Sequence, residues 1–570
     1  MKKAVCALLL LCLLASCTPT DPSGSPNVTP PPENISEAPA PSEEPWEIID
    51  LGAYSPAEDI HVDQLGYRPG DPKKAVIPES ADAFKIVRIS DGAVMFSGSA
   101  SAPMASLGSL ETVRVADFTG LDQPGEYYLC AGKGRSYPFL IDENPYGDLR
   151  MATLDFFHYQ KCGVDLEAGA WSHPSCHDAL AFVLDTEGEK TGEEKDVSGG
   201  WHDAGDYSRY VVPAAQTVAQ LLLAYELSPN PDPEVLDAVW FKIEWMLKMQ
   251  DEATGGVYHK TGCKSFNALD QMPQNEKGEL VITPISATAT ADFAASMALA
   301  SRFYPEHKET LLDAARFAWQ WCLDNPDAPG FRNPRGVSTG EYGDNNSEDE
   351  RFWAACELFA ATGEESFHDF IKSGELHTGL GWTKMGTYGL TAYLLHAGDK
   401  ADDGLALRMR NKLQASCNDI MGRYQTEPYG VSLGSGYYWG SNMAVGNNAM
   451  TLLLGDLLLD SAPGYAEAAL DQMHYLLGTN ALSKSYISGF GSKPMQNPHH
   501  RPSVAIGQAV PGMVSGGPNG DPGDPTLKEF CKEGLPPMMC YIDHIDSYSS
   551  NEVAIYWNSP VYFVLAVLDL

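Results

Sequence analysis

The chain is short of positive charge: its 570 residues hold 38 Lys and Arg against 76 Asp and Glu, a formal charge of −38. A field of that sign repels phosphate backbones and anionic membrane surfaces, which excludes nucleic acid as a partner but does not penalise a neutral polymer. Long apolar runs are also scarce. The stretch from Ala4 to Leu14 is too short to stay in a bilayer as a helix, which takes ~20 residues. A disulfide framework is missing too. Of twelve Cys, Cys6, Cys12 and Cys17 sit at the N-terminus, and the other nine are an odd number at scattered spacings, so buried thiols are expected.

What is present begins with Met1-Lys2-Lys3, the apolar stretch and then Leu14-Ala15-Ser16-Cys17, a charged, apolar and small-residue series that resembles a bacterial lipoprotein signal. Residues 1–17 are read as that signal, with Cys17 as the lipidated N-terminus of an exported chain, anchored to the cell envelope and facing outward. Residues 18–56 are rich in Pro, Ser and Glu and read as a disordered linker. From 57 to 142, short runs such as Phe84-Lys85-Ile86-Val87 and Thr112-Val113-Arg114-Val115 alternate with Gly, Pro and Asp turns, the pattern of a small β-sandwich. From 145 to 570 the period changes to 3.6. Helices are expected over Val212–Leu227, Val235–Met249, His307–Leu323, Glu350–Ala361, Asp403–Met421 and Tyr465–Leu477, joined by long loops, which fits a helical toroid better than a bundle.

Three constellations carry chemistry. Gly199-Gly200-Trp201-His202-Asp203-Ala204-Gly205-Asp206-Tyr207 sets two carboxylates three residues apart in a Gly-rich turn, where paired acids can hold and deprotonate a water. In isolation an Asp-x-x-Asp is better read as a helix cap or a calcium loop, and the surrounding motif reverses that reading. Ser485 to Lys493, followed by Pro498-His499-His500-Arg501, gathers imidazole and guanidinium donors suited to sugar hydroxyls; a surface turn or a metal pair would use the same residues. The third runs from Tyr541-Ile542-Asp543 through Tyr548 to Asn551-Glu552-Val553-Ala554-Ile555-Tyr556-Trp557-Asn558-Ser559, where Glu552 is expected to start an apolar helix. There the helix dipole would favour a carboxylate, while an apolar surround would raise its pKa as a general acid requires.

In these three motifs the chain resembles glycoside hydrolase family 9, the inverting endoglucanases, and Val62-Asp63-Gln64-Leu65-Gly66-Tyr67-Arg68 looks like the opening of the immunoglobulin-like module that precedes many members. The resemblance implies a mainly α protein, an (α/α)6 barrel behind an immunoglobulin-like β-sandwich. It implies hydrolysis of β-1,4-glucan with inversion, Asp206 as base, Asp203 positioning the water and Glu552 as acid. His499 and Arg501 would bind sugar, with Asp543 in support. Trp171, Tyr258, Trp382, Tyr388, Trp439 and Tyr548 are loop aromatics whose rings could stack on pyranoses; Trp439 and Tyr548 are expected to do so. The alternatives are an exo-acting β-glycosidase on oligosaccharides and a glycan-binding protein without catalysis, which would need neither Asp206 nor Glu552.

Cys162, Cys176, His177 and His202 make a tetrahedral zinc set, and the resemblance implies a structural zinc there, with all four positions filled by protein. Asp344 to Glu350 offers hard oxygen ligands for calcium, with Asp349 and Glu350 foremost, although acids at a helix N-terminus explain the same run. No organic cofactor is expected. The partner is a β-glucan, the membrane is met through the lipid alone, and the chain is expected to be a monomer.

Overall fold

Ten strands come first, because β-branched and aromatic residues alternate between turn residues. They are β1 (Ser55–Pro56), β2 (Gly66–Tyr67), β3 (Lys74–Pro78), β4 (Ala83–Arg88), β5 (Val94–Ser99), β6 (Met104–Ala105), β7 (Thr112–Asp117), β8 (Gly125–Ala131), β9 (Gly134–Arg135) and β10 (Phe139–Ile141). One sheet follows the order β1-β9-β8-β10-β2, with β4 on β8 and β5 on β4; the other is β3-β7-β6. Ile77, Phe84, Ile86, Tyr127, Leu129 and Phe139 bring both sheets to one core, which makes a sandwich. The computed structural model describes residues 46–570, so the signal, Cys17 and the linker up to residue 45 lie outside the described residues. The last linker residues depart from the composition-based reading. Glu47 accepts the Val94 N–H, Ile49 donates to Gly92 and β1 pairs with β9, so this stretch lies along the sandwich.

The helices are α1 (Gly147–Tyr159), α2 (Val211–Leu227), α3 (Glu234–Lys248), α4 (Ala287–Ala300), α5 (Lys308–Asp324), α6 (Glu348–Thr362), α7 (Glu365–Ser373), α8 (Gly386–His396), α9 (Asp403–Tyr424), α10 (Ser441–Leu458), α11 (Tyr465–Leu476), the short α12 (Arg501–Ile506), α13 (Pro525–Phe530) and α14 (Tyr548–Asn551), and α15 (Ile555–Val567). Their ends follow local chemistry: Ser286 and Asp402 accept backbone N–H groups at the starts of α4 and α9. Even-numbered α2, α4, α6, α8 and α10, with α15, form an inner ring in which α15 packs on α2 and α10, and α4 on α2 and α6. Odd-numbered α1 to α11 surround it, giving an (α/α)6 barrel. The inner helices are enclosed on most sides, as α4 illustrates with every residue buried, its Thr288, Thr290, Asp292 and Ser296 included, whereas α3 and α5 bury one face.

A third sheet, β12-β11-β15-β14-β13, is built from β11 (Ala181–Leu184), β12 (Lys190–Lys195), β13 (Arg209–Tyr210), β14 (Lys260–Cys263) and β15 (Leu280–Ile282). It carries the turn with Asp203 and Asp206 directly into β13 and α2. Glu552 does not start a helix. It lies on an extended piece between α14 and α15, paired with His499, because its backbone is spent on the neighbouring loop rather than on a helical turn.

Candidate active site

The turn 199–207 is held from beneath. Arg209, fully buried, donates to the carbonyls of Val197 and Gly199 at 2.6 and 2.7 Å. The Gln160 side chain donates to the carbonyls of His202 and Ala204 at 3.2 and 3.1 Å, and its oxygen faces His500 at 3.1 Å. Two glycines are required. Gly200 has φ +73° with Trp245 where a Cβ would go, and a Cβ on Gly205 would fall 1.9 Å from the carbonyl oxygen of His499. The turn is thereby pressed against the His499 loop.

Asp203 is buried; its backbone N–H donates to Ser208 and its carbonyl accepts from Ile555 at 2.8 Å, which ties it to the head of α15. Tyr342 donates to its carboxylate at 2.6 Å and meets Tyr556 at 3.2 Å, and the second carboxylate oxygen has no partner. Burial raises the Asp203 pKa to about 7; the Tyr342 bond opposes that rise and the Asp206 charge adds to it. Asp206 accepts the Ser208 N–H at 3.1 Å. Burial, then the Asp206 charge, pushes the Glu552 carboxyl well above the usual carboxylate range, against the pull of Arg501 and a bond from the Gly205 N–H. Asp203, Asp206 and Glu552 all line one cavity of about 310 Å³, with Phe266, Tyr342, Trp382, Trp439, Tyr556 and Trp557. Trp382, Trp439, Tyr556 and Trp557 also border a chamber of about 960 Å³ that reaches between α8, α9 and α10.

The other expected residues divide. Trp439, 46 % exposed, sits in both cavities and packs on Tyr548 at 5.4 Å, and Tyr548 meets His499 at 5.8 Å, so the three form one rim. Nδ1 of His499 faces the Ile545 carbonyl at 2.6 Å, leaving Nε2 for a ligand. Arg501 is committed to the protein: it donates to the carbonyls of Gly205 and Asn267 at 2.9 and 3.0 Å. Asp543 likewise binds Lys484 and the N–H groups of Gln496 and Asn497, and so orders the chain leading to His499. Trp171, Tyr258 and Tyr388 are buried and serve the core. Tyr342, Tyr556, Gln160 and Phe266 were not found by sequence reasoning; only Tyr556 lay inside a quoted motif.

The sulfurs of Cys162 and Cys176 are 3.8 Å apart, Cys162 is 3.5 Å from His177 Nδ1 and Cys176 is 3.7 Å from His202 Nε2. Tetrahedral zinc, with bonds of ~2.3 Å to sulfur and ~2.0 Å to nitrogen, implies edges of roughly 3.8 and 3.5 Å, so the donor set fits. Among the described residues this is a metal-competent group of four ligands. His177 Nε2 lies 2.6 Å from Glu276, the outer carboxylate that orients a metal-bound imidazole. At the acidic run, Asp349 accepts the Met385 N–H at 2.6 Å, while Glu350 turns inward and, like Asp292, keeps both buried carboxylate oxygens unpartnered. The nine described cysteines are free, and eight are buried.

Comparison with known proteins matches this architecture. The family model for glycosyl hydrolase family 9 covers residues 146–565, and that for the cellulase N-terminal immunoglobulin-like domain covers 55–136. A cellodextrinase of Butyrivibrio fibrisolvens is 36 % identical, covering 89 % of this chain and 99 % of its own. Endoglucanase D of Acetivibrio thermocellus is 32 % identical over 99 % of this chain and 86 % of its own. The crystal structure of a thermostable endoglucanase from Alicyclobacillus acidocaldarius superposes with a TM-score of 0.84 at 38 % identity, over 90 % of this chain and 100 % of that one. The chain belongs to glycosyl hydrolase family 9 and is a cellulase-type glycoside hydrolase with an N-terminal immunoglobulin-like domain.

Proposed function

We propose that this enzyme hydrolyses internal β-1,4 bonds of soluble or amorphous β-glucan with inversion, Asp206 acting as base and Glu552 as acid. The observation that carries the assignment is a cavity lined by Asp203, Asp206 and Glu552 in which burial pushes the Glu552 carboxyl well above the usual carboxylate range. Glu552, whose burial favours the protonated carboxyl, delivers its proton to the leaving glycosidic oxygen. Asp206 takes a proton from water on the opposite face of the sugar, and Asp203, held by Tyr342, fixes that water. Trp439, Tyr548 and His499 present rings and a lone pair to the chain. Replacing Glu552 with Gln keeps the shape and removes the proton, so turnover falls by ~1,000-fold or more while cello-oligosaccharide binding persists. Full activity of Glu552→Gln would refute the assignment, and proton NMR showing β-anomeric first product would refute inversion.

The same reading puts zinc on Cys162, Cys176, His177 and His202, where it would act structurally and pin the turn ahead of Asp203. Calcium is placed at Asp349 and Glu350, supported by the unpartnered oxygens of Glu350. Metal analysis of the purified protein tests both. A lipid on Cys17 and an outward-facing envelope location follow from the N-terminal sequence alone, and mass spectrometry of the mature N-terminus tests them.

A further inference from the structure

Lys260 is a buried cation that the catalytic scheme does not use. It stands at the head of β14, 2 % exposed, where an ammonium is costly to keep unless its N–H groups are bonded. Its bonds go to a single loop: Thr339 Oγ1 at 3.0 Å, the Gly340 carbonyl at 2.5 Å and, more loosely, the Thr339 carbonyl at 3.4 Å. The preceding residue works on the same loop. His259 aims Nε2 at the Glu341 carbonyl at 2.8 Å, and its ring is fixed by Ser286 at 2.9 Å and by stacking on Phe331 at 3.6 Å. Three consecutive carbonyls, 339 to 341, are thus gripped by two consecutive side chains.

The next residue is Tyr342, which has φ +46° and donates to Asp203 at 2.6 Å. A bulky residue stays in that left-handed region only when its neighbours hold it there. Tyr210 closes the other side: it pairs with Lys260 across β13 and β14, lies 5.4 Å from the ammonium and meets the Tyr342 ring at 4.7 Å. A Cβ on Gly340 would come within 2.7 Å of the Tyr210 hydroxyl, so the loop is pressed flat against it. Tyr210, Gly340, Glu341 and Tyr342 line the acid–base cavity, and Lys260 stands behind that wall. It acts on the reaction through the loop and touches no sugar. Burial brings the Lys260 pKa down to about 7, against the charges of Asp206 and Glu341.

We propose that Lys260 is a positioning residue for the hydrolytic water: by holding the Gly340 carbonyl it keeps Tyr342 in the backbone conformation that aims its hydroxyl at Asp203. This rests on the reading of Asp203 as the group that fixes the water, and adds the residue that keeps Asp203 correctly bonded. Without the ammonium, Tyr342 relaxes to an ordinary backbone and its bond to Asp203 is lost. The alternative role, a cation acting by charge on Asp206 alone, would not pass through Tyr342.

The test is a double-mutant cycle in the full chain on cellotetraose, with Lys260→Met, Tyr342→Phe and the two combined. Methionine keeps the length of the side chain and removes its charge and donors. Each single variant is expected to lower kcat about tenfold, the scale of one hydrogen bond to a charged group, with KM within about twofold because neither change removes a contact to sugar. The combined variant is expected to fall about tenfold as well, since the second change breaks a bond already lost. A fall near the product, about a hundredfold, overturns the proposal and favours charge acting on Asp206; wild-type kcat in Lys260→Met, or a loss confined to KM, overturns it too. Melting temperatures establish that each variant is folded. If Lys260→Met does not fold, Thr339→Val, which takes one acceptor from the ammonium, goes through the same cycle with an expected single loss of about threefold and the same two readings. Wild-type kcat in Tyr342→Phe overturns the reading of Asp203 and the role of Lys260 together, whereas failure of the acid assignment reads out separately, as activity of Glu552→Gln.

Discussion

Tyr342 has φ +46°, a left-handed backbone that a bulky residue adopts only when its surroundings fix it. What it gains is the bond to Asp203, a carboxyl that burial would otherwise hold neutral. The bond favours the ionised form, so Tyr342→Phe should raise the Asp203 pKa further above about 7. If Asp203 must be charged to hold water, the acidic limb of kcat/KM moves to higher pH and activity at pH 6 falls more than at pH 8. The alkaline limb, set by loss of the Glu552 proton, stays in place. An unmoved acidic limb would count against Asp203 as the water-positioning group. The Tyr342 role was illegible in the sequence because its loop lies 139 residues from Asp203 and carries no pattern of its own. Asp203, Asp206 and Glu552 were legible because each lies in a compact motif with its own turn residues. Arg501 and Asp543 were recognised as site positions, but sequence could not tell that their polar atoms are spent on backbone groups.

At the scale of elements, the catalytic turn is short, Gly-rich and without regular structure, so it must be held by what flanks it. Cys162 follows α1, Cys176 and His177 sit in the loop before β11, and His202 lies within the turn itself; a metal on all four would staple three segments at once. Chelation, or Cys176→Ser, should therefore lower both the melting temperature and kcat/KM, the latter roughly tenfold or more, with one zinc per chain lost. Full activity in zinc-free protein would show that Arg209 and Gln160 suffice to hold the turn. Element legibility followed burial geometry only in part, since the inner helices α2 and α6 lie within two residues of their expected bounds. Outer helices α3, α5 and α9 bury one face, so their period is visible and their bounds fall within a few residues of expectation. Inner helices α4, α8 and α10 are enclosed on all sides, so Ala, Thr, Gly and Leu follow one another without a period and none of the three was delimited.

For the molecule as a whole, residues Glu47–Leu570 form one compact unit, and the join between sandwich and barrel is polar and buried. Asp63, fully buried, faces His474 of α11 at 2.8 Å and accepts from Tyr146 at 3.1 Å, while its other oxygen takes the N–H groups of Leu65 and Gly66. Gln64 reaches across to the Ser483 carbonyl and the Lys493 N–H, inside the stretch that leads to His499. The outer helix α11 is buried on nearly every side because the sandwich covers it, unlike α3 or α9. The sandwich is thus part of the barrel's support, and the two should unfold together. Removing one partner from such a buried network costs ~3–5 kcal/mol, since the remaining groups lose their bonds without regaining water. Asp63→Ala should consequently lower the melting temperature of the entire protein in a single calorimetric transition, with activity loss tracking unfolding rather than pH. Two separate transitions in the wild-type chain, or an unaltered melting temperature in Asp63→Ala, would mean that the barrel stands without its neighbour.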